Sequence, residues 1–304
     1  MKPAHSALEG ATLWQDNALT VARYEMTALE KNILYMVMAS IRKDDAPNTI
    51  YKVSAKELMT LTGEQVRASD LQKATKKLIT RYFETILPSG NMLQATFVAS
   101  AEYITGQGII ELELSQKVRP LYVELKDRFT TLQLHTALTL NSKYAKRLYE
   151  LFSMYKNLSD KTFRIDVQEL KERLDLIDAK TGKDRYEKWT HFKNRVLDPA
   201  EHEINGKADL SFSYEPIKRG RSVAQIEFTV QYQRGAPIVA YEGPNAAVFG
   251  RLTMHFGLRQ DQANKVLSLH QLTDINKKLH QIQIRIVNNE LENIGAYTAK
   301  IFGV

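Results

Sequence analysis

Seven histidines (His5, His135, His191, His202, His255, His270 and His280) are the side chains of this 304-residue chain best suited to metal or proton-transfer chemistry. They are scattered, with no H-E-x-x-H, no H-x-H and no other ligand spacing. The absence of cysteine excludes disulfides, thiolate metal sites, thiol nucleophiles and iron–sulfur clusters. Thr181-Gly182-Lys183 lacks the upstream glycine of a phosphate-binding loop, and Gly106-Gln107-Gly108 falls in a hairpin rather than before a helix. A nucleophilic tyrosine, as in a nickase, could come from 14 tyrosines, but no metal cluster accompanies any of them. No cofactor and no catalysis are therefore expected.

The chemistry that remains is cationic. The chain carries 42 Lys and Arg against 35 Asp and Glu, a net +7, which suits a polyanionic partner. Six basic residues, Lys180, Lys183, Arg185, Lys188, Lys193 and Arg195, face only Asp184 and Glu187. Lys218, Arg219 and Arg221 follow in one short loop, bringing the two stretches to about +7 together. Helical phase places Trp189, Phe192 and Val196 on one face, Lys188, His191, Asn194 and Arg195 on or near the other, and Lys193 at the border. Arg and Asn are the types that read guanine and adenine edges. Loop cations suit phosphates, which give affinity without sequence information. An earlier helix carries Lys73, Lys76, Lys77 and Arg81, but the loop after it, Thr105-Gly106-Gln107-Gly108, is uncharged.

The elements that must position these residues occur twice. Tyr51–Leu58 lines up with Phe163–Leu170 at an offset of 112, and Ile109–Leu114 with Val223–Phe228 at an offset of 114. Each copy begins with a helix. The first has the capping box Thr27-x-x-Glu30 and the stripe Leu29, Ile33, Val37, Ile41; the second has Asn141 as N-cap and the stripe Tyr144, Leu148, Leu151, Phe152, Tyr155. A short strand then runs into a second helix, capped by Ser54-x-x-Glu57 in one copy and Asp166-x-x-Glu169 in the other. Turns at Gly63 and Gly182 lead to a third helix. In the first copy Ser69-x-x-Gln72 starts it, and Leu71, Ala74, Leu78, Tyr82 and Ile86 face inward. In the second, Tyr186, Trp189, Phe192 and Val196 do so, and Pro199 predicts a kink or a restart with Asp198 as N-cap. A hairpin closes each copy: Phe97, Ala99, Ala101, Tyr103 and Ile110, Leu112, Leu114; then Leu210, Phe212, Tyr214, the loop Ile217–Ser222, and Ala224, Ile226, Phe228, Val230. Met36, Met38, Met59 and Met92 read as core fillers.

Three helices, the last two in helix-turn-helix order, followed by a hairpin, make a winged helix. The expected fold class is α+β, mainly helical: two tandem winged-helix domains related by an internal pseudo-repeat, plus a small helical C-terminal extension. The expected bounds are a tail at 1–18, a first winged helix at 19–128, a second at 129–236 and the extension at 237–304. Gly235, Pro237, Gly243 and Pro244 mark a linker. Leu258, Ala263, Val266 and Leu267, then Ile275, Leu279, Ile282 and Ile286, read as short helices, with another short piece at Asn293–Tyr297. The extension is expected either to pack on the second module or to dock another protein. The longest apolar stretch, Ile33–Ile41, falls well short of the ~20 residues a membrane span needs, and MKPAHSALEG has no apolar leader core.

With these residues in view, the sequence resembles the iteron-binding Rep family of plasmid replication initiators. The resemblance runs through Asn17–Ala22, Leu29–Leu34, Phe129–Leu134, Tyr144–Leu151, the stretch Phe192–Asn205 and the wing Lys218–Arg221, covering about residues 15–234. It implies binding of double-stranded DNA at directly repeated origin sites, the iterons, as a monomer, with the second module making the main base contacts. It further implies a homodimer formed through the first module that binds an operator inverted repeat and represses its own gene. Recruitment of host DnaA and the replicative helicase, and a bacterial cytoplasmic, plasmid-associated location, follow from the same resemblance. The candidate DNA-binding residues are Arg185, Lys188, His191, Lys193, Asn194, Arg195, Lys218, Arg219 and Arg221, with Lys73, Lys76 and Lys77 from the first module. Two modules reading one face of DNA need blocks about one turn apart, hence a site of about 20 bp. A tandem winged-helix transcriptional repressor without a replication role would share every feature read from the residues.

Overall fold

The computed structural model describes residues 11–87, 89–104, 106–123, 125, 129–155, 161–178, 180–232, 248–249, 251–256, 258–287 and 294–304. The chain divides into a larger compact unit, Ala11–Gln233, and a smaller one that contains Arg234–Val304.

In the larger unit the doubled module is present in matching topology. The first copy comprises helix α2 (Ala28–Ser40), strand β2 (Ile50–Ser54), helices α3 (Ala55–Thr62) and α4 (Ala68–Thr80), and strands β5 (Val98–Ile104) and β6 (Ile109–Leu114). The second comprises α7 (Lys143–Met154), β8 (Thr162–Asp166), α8 (Val167–Arg173), a long helical run over 189–207, and β9 (Leu210–Arg219) with β10 (Ser222–Tyr232). Both antiparallel sheets have the last strand in the middle: β2-β6-β5 in one and β8-β10-β9 in the other.

Local chemistry sets the ends of these elements. Thr27 and Glu30 form the expected reciprocal capping box, and Ser54 accepts from the Glu57 amide. Gly63, at φ 71°, ends α3 in the left-handed conformation that costs glycine least. Three expected caps move. Ser142, not Asn141, accepts from the first amides of α7, while the Asn141 and Ser142 amides donate to Glu203. Asp166 makes no capping bond and accepts from Gln225 instead. The helix expected to start at Ser69 starts at Ala68 without a side-chain cap.

Larger departures follow from the local ambiguity of short apolar runs. Helix α4 stops at Thr80, and Tyr82–Ile86 is strand β3, paired with β4 (Met92–Thr96). Phe83 and Thr85 point inward there, leaving Tyr82 and Ile86 exposed where inward helical positions were expected. Met92 is exposed as well and fills no core gap, unlike Met36 and Met38. A register shift between Val98 and Ser100 breaks the alternation of the first wing, so Phe97 and Val98 are both buried and Ala99 is exposed. Strands β1 (Thr12–Asp16) and β7 (Phe129–Gln133) make an additional two-stranded ribbon. Short helices α1 (Asn17–Thr20), α5 (Pro120–Val123) and α6 (Leu134–Thr139) complete the unit.

The smaller unit holds a π-helical turn (Arg251–His255) and helices α11 (Gln260–Leu269), α12 (Leu272–Val287) and α13 (Ile294–Phe302). Leu252, Phe256, Ala263, Val266, Ile275, Leu279, Ile282 and Phe302 form its own apolar core. This agrees with the short helices expected there. The linker residues Gly235, Pro237, Gly243 and Pro244 lie outside the described residues, as do Thr105 of the first wing and Asn293. Among the described residues no helix is long and apolar enough to cross a membrane.

Candidate nucleic-acid interface

The run over 189–207 is built as α9 (Trp189–Phe192), a π-helical turn (Lys193–Leu197) and α10 (Asp198–Lys207). Leu197 and Asp198 keep right-handed helical backbone, so the run enters Pro199 without a non-helical cap. The wide turn lets the Asp198 amide reach the Lys193 carbonyl five residues back, and the missing Pro199 donor falls just after it. Asp198 is helical in its backbone and caps nothing. Its carboxylate accepts from the Tyr214 hydroxyl at 2.5 Å and from Lys193 Nζ at 2.7 Å. Partial burial opposes ionisation of Asp198, but the Lys193 and Tyr214 bonds prevail and hold its pKa below the usual value.

Phe192, Val196, Leu197, Ala200 and Ile204 are buried and anchor the run, with Trp189 edge-on to Phe192 at 6.0 Å. Lys188, Thr190, His191, Asn194 and Arg195 are exposed together on the opposite face. Tyr186 precedes the helix and lies at half depth, so it is no part of the inward stripe. Two expected contacts are already engaged within the chain. Lys193 is paired with Asp198, and Arg185 lies 3.7 Å from Glu25 of the first module. Arg185 therefore belongs to the junction between modules as much as to the open surface.

The second wing is tighter than a six-residue loop. Arg219 pairs with Ser222 in register, so only Gly220 and Arg221 make the turn. Gly220, at φ 64°, supplies the positive first position that a II′-type hairpin turn requires. Lys218, Arg219 and Arg221 are exposed at this tip, with no ion pair among the described residues. Below them, Phe212 and Phe228 pack on Phe152 at 4.5 and 5.1 Å, fixing the hairpin to α7.

The first module presents a weaker version. Leu71, Ala74, Thr75 and Leu78 bury one face of α4, while Lys73, Lys76 and Lys77 line the exposed face. Lys73 has only a loose 3.8 Å contact with Asp70. Arg81 is withdrawn into ion pairs with Glu30 and Glu25. At the base of the first wing the Gly108 carbonyl accepts from the Ala55 amide at 2.9 Å, extending the β2–β6 ladder by one bond. Among the described residues no three His, Asp or Glu side chains are placed to hold a metal.

Where α7 packs on α2 lies a buried ionic cluster. Glu150 of α7, fully buried, accepts from Lys31 Nζ and, at 2.9 Å each, from the Tyr35 and Tyr24 hydroxyls, and it pairs with Arg147. The Arg147 guanidinium lies 4.0 Å from the Tyr24 ring and donates to the Ala22 carbonyl at 2.8 Å. Beside it, Lys146 Nζ donates to Asn32 at 2.6 Å and to the Ala137 carbonyl. Burial pushes the Lys146 pKa down to about 7 and that of Lys31 to about 8, Glu150 partly opposing the latter. Burial works against the Glu150 carboxylate too, but Lys31 and Arg147 overcome it and hold its pKa near about 2. Lys31 lies off the stripe Leu29, Ile33, Val37 and Glu150 off the stripe Leu148, Leu151, Phe152, so helical phase marks neither as buried.

The geometry defines a tandem winged-helix protein with exposed cations on the third helix and the wing of one module and on the third helix of the other. The family model described as initiator replication protein, WH1, matches residues 12–153, and that described as initiator Rep protein, WH2, matches 166–230. The chain belongs to this family of Rep replication initiators. It is 28% identical over 242 residues to the PI protein of Escherichia coli, covering 69% of this chain and 78% of that one. Its fold is similar to that in a crystal structure of Pi initiator protein in complex with iteron DNA, with a TM-score of 0.64 and 22% identity, over 74% of this chain and 99% of the other. Both family matches fall within the larger unit.

Proposed function

We propose that this chain initiates plasmid replication by binding directly repeated origin sites as a monomer, without catalysing a reaction itself. The run over 189–207 enters a major groove, with Asn194, Arg195, His191 and Lys188 toward the bases. The tip Lys218–Arg221 sits on flanking phosphates, and Lys73, Lys76 and Lys77 of α4 hold the backbone near the next groove. The observation that carries this reading is the exposure of cations on both the third helix and the wing of one module, repeated in part by the other. That the solved relative is described with iteron DNA supports it.

The finer features rest on the family resemblance: dimers binding an inverted repeat to repress the initiator's gene, and recruitment of host DnaA and the replicative helicase. The exposed Tyr82, Ile86 and Met92 of the β3–β4 hairpin favour self-association through the first module. Footprinting on DNA flanking the gene tests the core of the proposal. The expected pattern is two protected blocks about one turn apart within each ~20 bp repeat. A single short block, or no preference for the repeats, would overturn it.

A further inference from the structure

The buried ionic cluster between the modules is a poor device for stability alone. Lys31, Lys146 and Arg147 outnumber Glu150, and well-packed apolar side chains of similar volume would hold two surfaces together as well or better. What the cluster imposes is direction. Glu150 is satisfied only when Lys31, Tyr24 and Tyr35 of the first module meet Arg147 and Glu150 of α7 in one arrangement. An apolar interface can slide at small cost, whereas sliding this one strands buried charge.

The cluster also sits on two helices, α2 and α7, each of which contacts one of the DNA-facing helices. Arg81, capping α4, pairs with Glu30 of α2 at 3.0 Å. Its neighbour Lys31 pairs with Glu150 of α7. At the start of α7, the Ser142 amide donates to Glu203 of α10 at 3.0 Å, within the recognition run. Lys171 of α8 adds a contact 5.2 Å from the Phe192 ring.

We infer that Lys31, Glu150, Arg147, Tyr24 and Tyr35 are positioning residues that fix the rotational register of the two recognition helices, and thereby the spacing between the two DNA blocks the protein accepts. This rests on the DNA reading above. Each base pair inserted between the blocks turns one relative to the other by about 35°, so a stiff junction rejects altered spacings and a compliant one tolerates them.

The test is binding of full-length protein to origin repeats carrying 0, 1 or 2 base pairs added or removed between the blocks. The variant combines Lys31→Met, Arg147→Met, Glu150→Met, Tyr24→Phe and Tyr35→Phe. The wild type is expected to lose about tenfold or more in affinity at a two-base-pair change, the scale of losing base contacts in one block. The variant is expected to bind the native spacing within about threefold of wild type and to lose less than about threefold on the same change. A purely structural role would lower affinity equally at every spacing, so an unchanged spacing penalty in the variant overturns the inference. If circular dichroism shows that the fivefold variant does not fold, Tyr24→Phe with Tyr35→Phe is measured instead. This pair keeps the charges but removes the directing hydroxyls; a penalty at least halved supports the inference and an undiminished one refutes it. A wild type that binds the repeats at every spacing alike refutes it while sparing the DNA reading. A wild type that does not prefer the repeats to scrambled DNA defeats both.

Discussion

Replacing Lys218, Arg219 and Arg221 together by Ala should change the salt dependence of DNA binding more than its sequence preference. All three are exposed at the hairpin tip and unpaired among the described residues, so each is free to neutralise one phosphate. Three phosphates correspond to a loss of about 2.7 from the slope of log K against log salt, taking about 0.9 per contact. Between 50 and 200 mM salt the wild type should therefore weaken about 40-fold more than the variant. Fluorescence anisotropy on the origin repeat and on a scrambled duplex of equal length, across that salt range, measures both slopes. Phosphate contacts carry no sequence information, so the slope should fall equally on the two duplexes. Lys193, already committed to Asp198 at 2.7 Å, offers an internal contrast: Lys193→Ala should move the slope by less than about one contact's worth. A triple variant with unchanged slope, or one altered only on the specific duplex, would refute the assignment of the wing to the backbone.

Other predictions concern the junction. Glu150→Gln leaves Lys31 and Arg147 buried without a counter-charge and should cost about 3–5 kcal/mol of stability, read as a lower urea midpoint; an unchanged midpoint would contradict the buried pairing. The depressed Lys146 and Lys31 pKa values, about 7 and about 8, mean that between pH 7 and the unfolded lysine value the unfolded chain binds more protons. Stability should thus rise from pH 7 to pH 9, by up to about 1.4 kcal/mol per pH unit for each proton. Lys146→Met should flatten that rise, and a stability that falls over the same range would reverse the sign of the argument. At the acid end the Glu150 contribution, with a folded pKa near about 2, is present above the unfolded carboxylate value and lost as pH falls towards 2. Glu150→Gln should therefore be less sensitive to acid than the wild type.

The doubled winged helix was legible because its signals are local. Capping residues, period-two wings and the Phe192–Val196 stripe each act over a few residues, and they recur at a near-constant offset. The exposed face Lys188, His191, Asn194 and Arg195 followed from helical phase alone. What was not legible depends on partners far along the chain. Thr12–Asp16 becomes a strand because Phe129–Gln133 lies beside it. Tyr82–Ile86 carries spacing that suits a helix, yet pairing with Met92–Thr96 and burial of Phe83 decide for strand. Pro199 suggested a kink or a restart at Asp198, and the π-helical turn that precedes it has no simple sequence signature. Arg185 and Lys193 counted as free cations until Glu25 and Asp198 were brought beside them. The Glu150 cluster joins residues more than a hundred positions apart.

The central claim is that the exposed face of the run over 189–207 reads the origin repeat. The direct measurement is the ratio of affinities for the repeat and for scrambled DNA, in the wild type and in Asn194→Ala with Arg195→Ala. The account predicts that the double variant loses about 1–3 kcal/mol per base-reading residue on the repeat, keeps its affinity for scrambled DNA within a few-fold, and so collapses the ratio. An unchanged ratio, with both affinities as in the wild type, would show that this face does not read the site.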